Sequence, residues 1–139
     1  GEDLRRLGHE FGATTGRPRR CGWIDLPALK YAIMLNGVTS MVMTKADVLS
    51  GFEEIKVCTH YEYNGQIHDR IPYDICQNDI KPIYKSFKGW SADLTGITKP
   101  AAIPTELKDY VKYLEAELGV PIKYLSVGPD RTQTLHMHA

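Results

Sequence analysis

The sequence has few cysteines and no pattern that would organise them. Cys21, Cys58 and Cys76 are odd in number and include no CxxC pair. Neither a disulfide framework nor a zinc ribbon is therefore predicted, and we expect no metal site in this chain. Because reduced thiols are typical of intracellular proteins, we expect a cytoplasmic location.

The chain also lacks a long apolar run and an excess of charge of either sign. No stretch approaches the roughly 20 apolar residues that cross a bilayer, so we expect no membrane association. Lysine plus arginine number 17, and so do aspartate plus glutamate, which leaves no global basic field to attract nucleic acid. The N-terminal residues contain neither an initiator methionine nor an apolar signal region, and we expect the chain to belong to something longer.

What is present indicates one globular α/β or α+β domain over residues 1–139. Helices are predicted over 2–10 with an end at Gly12, from an Asp25 N-cap to Gly37, and from a Thr105 cap to Leu118. Strands are predicted over 39–44, 82–87 and 122–127, the first and last of them buried. We expect a mixed sheet with one β-hairpin and flanking helices.

The hairpin is predicted from Asn64-Gly65, the dipeptide favoured by type I′ turns, between strands at 55–63 and 66–73. This register places His60 opposite Asp69 and Tyr61 opposite His68. We interpret the two histidines as ordinary cross-strand neighbours rather than metal ligands. His136 and His138 are expected to lie in a frayed terminus.

The segment "GATTGRPRRCGW", residues 12–23, combines several arginines with a tightly constrained backbone. Pro18 fixes one φ angle and the neighbouring glycines free others, so the arginines can point in different directions. Guanidinium groups suit carboxylates and phosphates, and the threonine hydroxyls are further donors. The segment therefore predicts a site for a small dianion, although composition alone equally allows a solvated basic loop.

Two further segments follow predicted strands. In "TKAD", Asp47 offers two acceptors to the adjacent N1–H and 2-amino donors of guanine, and the stem of Lys45 can lie along the base. In "SVGPDR", Ser126 and Gly128 allow backbone N–H groups to approach a carbonyl such as guanine O6. The alternatives are an Asp47 cap on the next turn and a simple Gly-Pro turn. Ligands of α/β sheets bind beyond the carboxyl ends of strands, so we expect one shared pocket.

Several long segments resemble the C-terminal third of the adenylosuccinate synthetase family: "GATTGRPRRCGW", "TKADVLSG", "KVCTHYEYNG", "PIYKSFKGW" and "GVPIKYLSVGPDRTQT". The resemblance implies a C-terminal domain of a larger, P-loop-like, GTP-dependent ligase of AMP biosynthesis. That enzyme joins IMP to L-aspartate with Mg²⁺, through 6-phosphoryl-IMP, as a homodimer whose active sites are completed across the interface. The chain departs from the family at Ala46, where leucine is common, and at Lys88, where proline often precedes Gly89-Trp90.

The resemblance also implies roles for individual residues. The L-aspartate loop would comprise Ala13, Thr14, Thr15, Gly16, Arg17, Pro18 and Arg19. Within it, Arg17 would also lie near the IMP ribose, and Arg19 would reach toward GTP. The GTP base would be held by Lys45, Ala46, Asp47, Ser126, Val127 and Gly128.

By the same resemblance, the catalytic aspartate, the catalytic histidine, the phosphate-binding glycine loop and most Mg²⁺ contacts lie in an N-terminal region outside this sequence. The chain alone is therefore expected to be inactive. Two alternatives remain. One is a noncatalytic nucleotide- or RNA-binding module that uses the arginines on phosphate and Trp23 or Tyr61 for stacking. The other is a structural domain whose arginine loop contacts a partner protein.

Overall fold

The computed structural model describes residues 1–76 and 79–138, and these residues confirm the mixed α/β class. The helices are α1 (Glu2–Leu7), α2 (Leu26–Asn36) and α3 (Thr105–Leu118), with 3₁₀ turns at Ala46–Leu49 and Pro100–Ala102. The strands are β1 (Ile24–Asp25), β2 (Met41–Met43), β3 (Glu54–Tyr63), β4 (Gln66–His68), β5 (Lys81–Lys88), β6 (Ile122–Ser126) and β7 (Thr134–His136). No helix in the described part of the chain has the length and apolar character to cross a membrane.

The larger sheet is built around β3, which pairs in parallel with β1 and antiparallel with β4 and β5. Asn64 and Gly65 both have positive φ, as the predicted hairpin turn requires. Tyr61 lies opposite His68, which confirms the predicted register. His60, however, lies opposite Ile83 of β5 rather than Asp69, because β4 ends at His68.

The smaller sheet has the order β2-β6-β7, with β2 and β6 parallel. The predicted strand over 39–44 is shorter than expected and is not buried, since it lies at the edge of this sheet and Val42 is 59% exposed.

The prediction of a frayed terminus is wrong for 134–136, which form β7 against β6. Beyond β7, His138 Nε2 lies 2.6 Å from Glu115 Oε1.

Helix boundaries follow the local signals in part. Asp25 Oδ1 accepts from the Ala28 N–H at 3.1 Å, and Gly37 ends α2 in the left-handed conformation, as predicted. The predicted Thr105 cap is wrong: Pro104 precedes the first turn of α3, and no side chain caps it. Helix α1 ends at Leu7 rather than near Gly12, because the chain turns at Gly8 and His9 adopts φ 50°.

The core lies between α3 and the two sheets. The apolar face of α3 is buried, and it meets side chains from β3, from β6 and from the start of α2. Members with almost no exposure include Leu26, Ile55, Val57, Leu107, Leu114, Leu125 and Val127. The segments after β2 and β6 are therefore anchored on the same apolar core.

One close backbone approach is expected to be sensitive to a single methyl group. A Cβ added at Gly89 would lie 1.7 Å from the carbonyl oxygen of Phe52. A backbone oxygen cannot rotate away, so Gly89→Ala should lower the free energy of unfolding by about 1–3 kcal/mol. Chemical denaturation measures this difference. Gly96→Ala is the control, because its Cβ would meet nothing within 4 Å, and equal losses in both variants would contradict the prediction.

Candidate functional site

The segments "TKAD" and "SVG" lie side by side at one edge of the smaller sheet. They follow β2 and β6, which are parallel neighbours with Met43 opposite Leu125. Ala46 and Val127 are fully buried and fix each segment on the core. The polar groups of both segments are consequently brought to the carboxyl ends of adjacent strands, where α/β sheets bind ligands.

Asp47 is the most informative residue of this pair of segments. Its Oδ1 atom is buried and has no hydrogen-bond partner among the described residues. Lys45, not Asp47, precedes the 3₁₀ turn, and no side chain caps that turn, so the capping alternative does not account for the aspartate. Because a buried unpaired acceptor costs about 1–3 kcal/mol, this carboxylate is suited to a ligand that brings its own donors.

Lys45 is held by the end of α1. Its backbone is left-handed, with φ 60°, and its Nζ donates to the Gly8 carbonyl oxygen at 2.8 Å. The same ammonium group donates to Glu10 Oε1. The position of its charged head is therefore set by residues well before it in the chain.

The "SVG" segment forms a tight loop closed by Gln133. The Val127 N–H donates to the Gln133 carbonyl at 2.9 Å, and Ser126 Oγ donates to the Gly128 carbonyl at 2.9 Å. A Cβ on Gly128 would lie 2.3 Å from Gln133 Oε1, so this packing favours glycine. The Val127 N–H, the Ser126 hydroxyl and the Gly128 carbonyl are thus all paired within the chain.

The arginine loop is a closed turn rather than an open strand. The Gly12 N–H donates to the Arg17 carbonyl at 2.9 Å, and the Gly16 N–H donates to the Gly12 carbonyl at 2.8 Å. A bridge between Phe11 and Pro18 closes its base. Every residue of the expected L-aspartate loop is exposed: Ala13, Thr14, Thr15, Gly16, Arg17, Pro18 and Arg19.

The arginines of this loop have different surroundings. Arg19 donates from its guanidinium to Glu10 Oε2 at 3.0 Å, and its carbonyl accepts from Arg5 Nε at 2.7 Å. Within residues 1–76 and 79–138, the guanidinium groups of Arg17 and Arg20 make no hydrogen bond or ion pair. All the N–H donors of the planar Arg17 guanidinium are therefore available to bind an anion.

Glu10 is a functional candidate that was not predicted from the sequence. Its carboxylate accepts from Lys45 and from Arg19, and these hydrogen bonds and the two positive charges, Lys45 first, lower the pKa of Glu10 below its ordinary value. An acidic residue directly before an arginine-rich loop is the only local signal that could have indicated it.

A cleft of about 520 Å³ opens beside these groups. Its lining is mostly apolar and includes Trp23, Met43 and Leu114, and Arg19 and Lys45 also line it. Asp47 and the "SVG" segment do not line it, so the expected single shared pocket is not this cleft. No group of three His, Cys, Asp or Glu side chains suited to a metal ion occurs in the part of the chain that is described.

The two stacking residues of the RNA-binding alternative have different surroundings. Tyr61 is buried and donates to Asp25 Oδ2 at 2.5 Å, and Trp23 packs edge-on against Phe52. The buried Tyr61 ring therefore presents no open face of the kind on which bases stack, whereas Trp23 is half-buried and lines the cleft. Burial also raises the pKa of Cys58 to about 11, so this thiol is protonated at neutral pH and is not a nucleophile.

The chain is similar to known proteins over nearly its whole length. Residues 1–135 match the family model of adenylosuccinate synthetase. The chain is 58% identical over 136 residues to adenylosuccinate synthetase of Cytophaga hutchinsonii and 56% identical over 135 residues to that of Flavobacterium johnsoniae. Each alignment covers 97% of this chain and 32% of the relative.

A solved structure shows the same fold. The fully ligated adenylosuccinate synthetase of Plasmodium falciparum matches with a TM-score of 0.91 and 37% sequence identity. The match covers 98% of this chain and 33% of the Plasmodium protein. The chain thus spans about a third of the length of the relatives that it matches, and it belongs to the adenylosuccinate synthetase family.

Proposed function

We propose that this chain is the C-terminal domain of a full-length adenylosuccinate synthetase, to which it contributes the L-aspartate loop and the guanine-reading segments. The whole enzyme joins IMP and L-aspartate at the expense of GTP and releases adenylosuccinate, GDP and phosphate. The observation that carries this proposal is the buried Asp47 oxygen at adjoining strand ends, which has no partner in residues 1–76 and 79–138, in a chain of this family.

The base of GTP is bound by the groups at those strand ends. Asp47 accepts from guanine N1–H and the 2-amino group, which satisfies an acceptor that has no partner among the described residues. The stem of Lys45 covers one face of the base, and its ammonium group stays at the end of α1. Ala46, Ser126, Val127 and Gly128 form the surrounding backbone.

L-Aspartate is bound by the exposed arginine loop. Arg17 faces no competing carboxylate among the described residues, and its planar fork matches the two oxygens of a substrate carboxylate. The threonine hydroxyls add donors beside it, and Arg17 also lies near the IMP ribose. Arg19 reaches from this loop toward the GTP side.

The remaining parts of the reaction lie outside this chain. The Mg²⁺ ion that accompanies GTP is bound mainly by the N-terminal region of the enzyme, as the family resemblance implies. The groups that position the transferred phosphoryl group are likewise supplied by the rest of the protein. We further infer that the enzyme is cytoplasmic and is a homodimer.

A full-length chimera tests the proposal. This chain replaces the matching third of the Cytophaga hutchinsonii enzyme, to which it is 58% identical. The chimera is expected to form adenylosuccinate from IMP, GTP, L-aspartate and Mg²⁺, as followed by absorbance and by chromatography of the product. The proposal would be contradicted by a chimera that circular dichroism shows to be folded but that is inactive, while the unmodified Cytophaga hutchinsonii enzyme is active in the same assay.

The isolated 139-residue chain is the matched negative control. It is expected to show no turnover with the same substrates, because phosphoryl transfer depends almost wholly on positioning groups and charges that this chain lacks. Adenylosuccinate formation by the isolated chain would place a complete active site within it and contradict the proposed division of labour.

A further inference from the structure

The Glu10 carboxylate is the point at which two proposed substrate segments meet. Its Oε1 accepts from Lys45 Nζ, and its Oε2 accepts from Arg19 at 3.0 Å. Lys45 comes 35 residues later in the chain, so the carboxylate joins the turn after β2 to the end of the arginine loop. The Glu10 side chain is 21% exposed, against 59% for Arg19 and 48% for Lys45, so the acid is the more enclosed centre of the three.

The backbone around this carboxylate is held independently of it. The Arg19 N–H donates to the Glu10 carbonyl at 3.0 Å, and Lys45 Nζ also donates to the Gly8 carbonyl. Removing the negative charge should therefore leave the two segments near each other. What the carboxylate alone adds is a direct link between the two cationic heads.

Such a link matters more for binding than for stability. Exposed ion pairs contribute little to the free energy of folding. Long cationic side chains nevertheless lose much rotamer freedom when a ligand orders them, and a side chain that is already ordered loses less. A carboxylate that orders two such side chains at once also makes their positions interdependent.

We propose that Glu10 is a positioning residue that couples the L-aspartate loop to the GTP site by holding Arg19 and Lys45 in one arrangement. The inference rests on the proposed function, which assigns these two cations to the two substrates. IMP is contacted by Arg17, which Glu10 does not touch, so IMP binding is independent of the carboxylate.

Glu10→Gln in the full-length chimera tests the coupling. The amide keeps the size of the side chain but removes the charge and turns one acceptor into a donor that faces a cation. The KM values for GTP and for L-aspartate should each rise about five- to tenfold, with kcat within about twofold and the KM for IMP unchanged. Glu10→Asp keeps the charge on a shorter stem and should recover part of the loss.

A double-mutant cycle separates coupling from a general defect. In a Lys45→Met background, Glu10→Gln should raise the GTP KM by a smaller factor than in the unsubstituted chimera, because one partner is already absent. The matched control is Glu117→Gln, which removes a carboxylate paired with Lys30 at 2.9 Å between α2 and α3 and should leave all three KM values unchanged. Thermal denaturation should give similar midpoints for Glu10→Gln and the unsubstituted chimera.

The outcomes distinguish this inference from the proposed function. GTP affinity measured by titration calorimetry supplies a readout that does not need turnover, and it should fall in Glu10→Gln. An active chimera in which Glu10→Gln changes no KM, changes all three equally, or acts additively with Lys45→Met would overturn the coupling alone. A chimera that neither binds GTP nor turns over would overturn the proposed function and this inference with it.

Discussion

Replacing Arg17 by leucine in the full-length chimera is expected to weaken the use of L-aspartate far more than the use of GTP. The guanidinium of Arg17 is proposed to fork onto a substrate carboxylate that becomes enclosed when the loop closes. Removing one partner of such a charge pair costs about 2–5 kcal/mol, which corresponds to a fall in kcat/KM for L-aspartate of roughly 30- to 5000-fold. The GTP KM should change by less than about threefold.

Steady-state kinetics with each substrate varied in turn measures this difference. Arg20→Leu is the matched control, because Arg20 also has no ion-pair partner within the described residues but is assigned to neither substrate. It should leave the L-aspartate kinetics nearly unchanged. Equal losses for L-aspartate and GTP in Arg17→Leu would show that the loop is a general scaffold rather than an L-aspartate site.

The second large effect is a change of nucleotide preference in Asp47→Asn. The carboxylate is proposed to accept from guanine N1–H and the 2-amino group. The asparagine amide would place its own N–H donor against one of these N–H donors of the base. An unpaired buried polar group costs roughly 1–3 kcal/mol, and more where a charged partner is lost, so use of GTP should fall at least about tenfold. Xanthine carries an oxygen in place of the 2-amino group. The asparagine can donate to that oxygen and still accept from N1–H, so XTP should now be preferred.

Kinetics with GTP, XTP and ATP on both proteins gives the preference directly. Lys45 stays in place, so the stacking contribution is constant and the comparison isolates the hydrogen bonds. Asp109→Asn makes the same chemical change at an exposed position on α3 and should alter no preference. An unchanged GTP:XTP ratio in Asp47→Asn would show that Asp47 does not read the base.

Local sequence signals predicted most of the elements. The Asn64-Gly65 turn, the left-handed Gly37 and Gly119, and the Asp25 cap all occur where the residues indicated them. These features succeed because a turn or a helix end depends on the φ preferences and side-chain oxygens of a few neighbouring residues. The apolar face of α3 was also predictable from neighbouring residues, since its apolar residues repeat with the helical period.

Predictions failed where the outcome depended on distant partners. The β4 arm ends at His68, and His60 instead faces Ile83 of a strand that comes later in the chain. Strand β7 forms because β6 offers it a free edge, although its own residues suggested a loose terminus. Which edges of a sheet are open cannot be inferred from a window of neighbouring residues.

For this protein, the amino-acid sequence by itself determined the α/β class, the family resemblance and the residue types able to bind L-aspartate and a guanine base. Only the tertiary structure decided that the "TKAD" and "SVG" segments are neighbours. The two strands that precede them pair in parallel, although about half of the chain separates them in sequence. It also decided that Asp47 has a buried oxygen with no partner in the described part of the chain, and that Glu10 joins Arg19 to Lys45. Burial and ion pairing are set by contacts between residues far apart in sequence, and such contacts exist only once the chain has packed around its core.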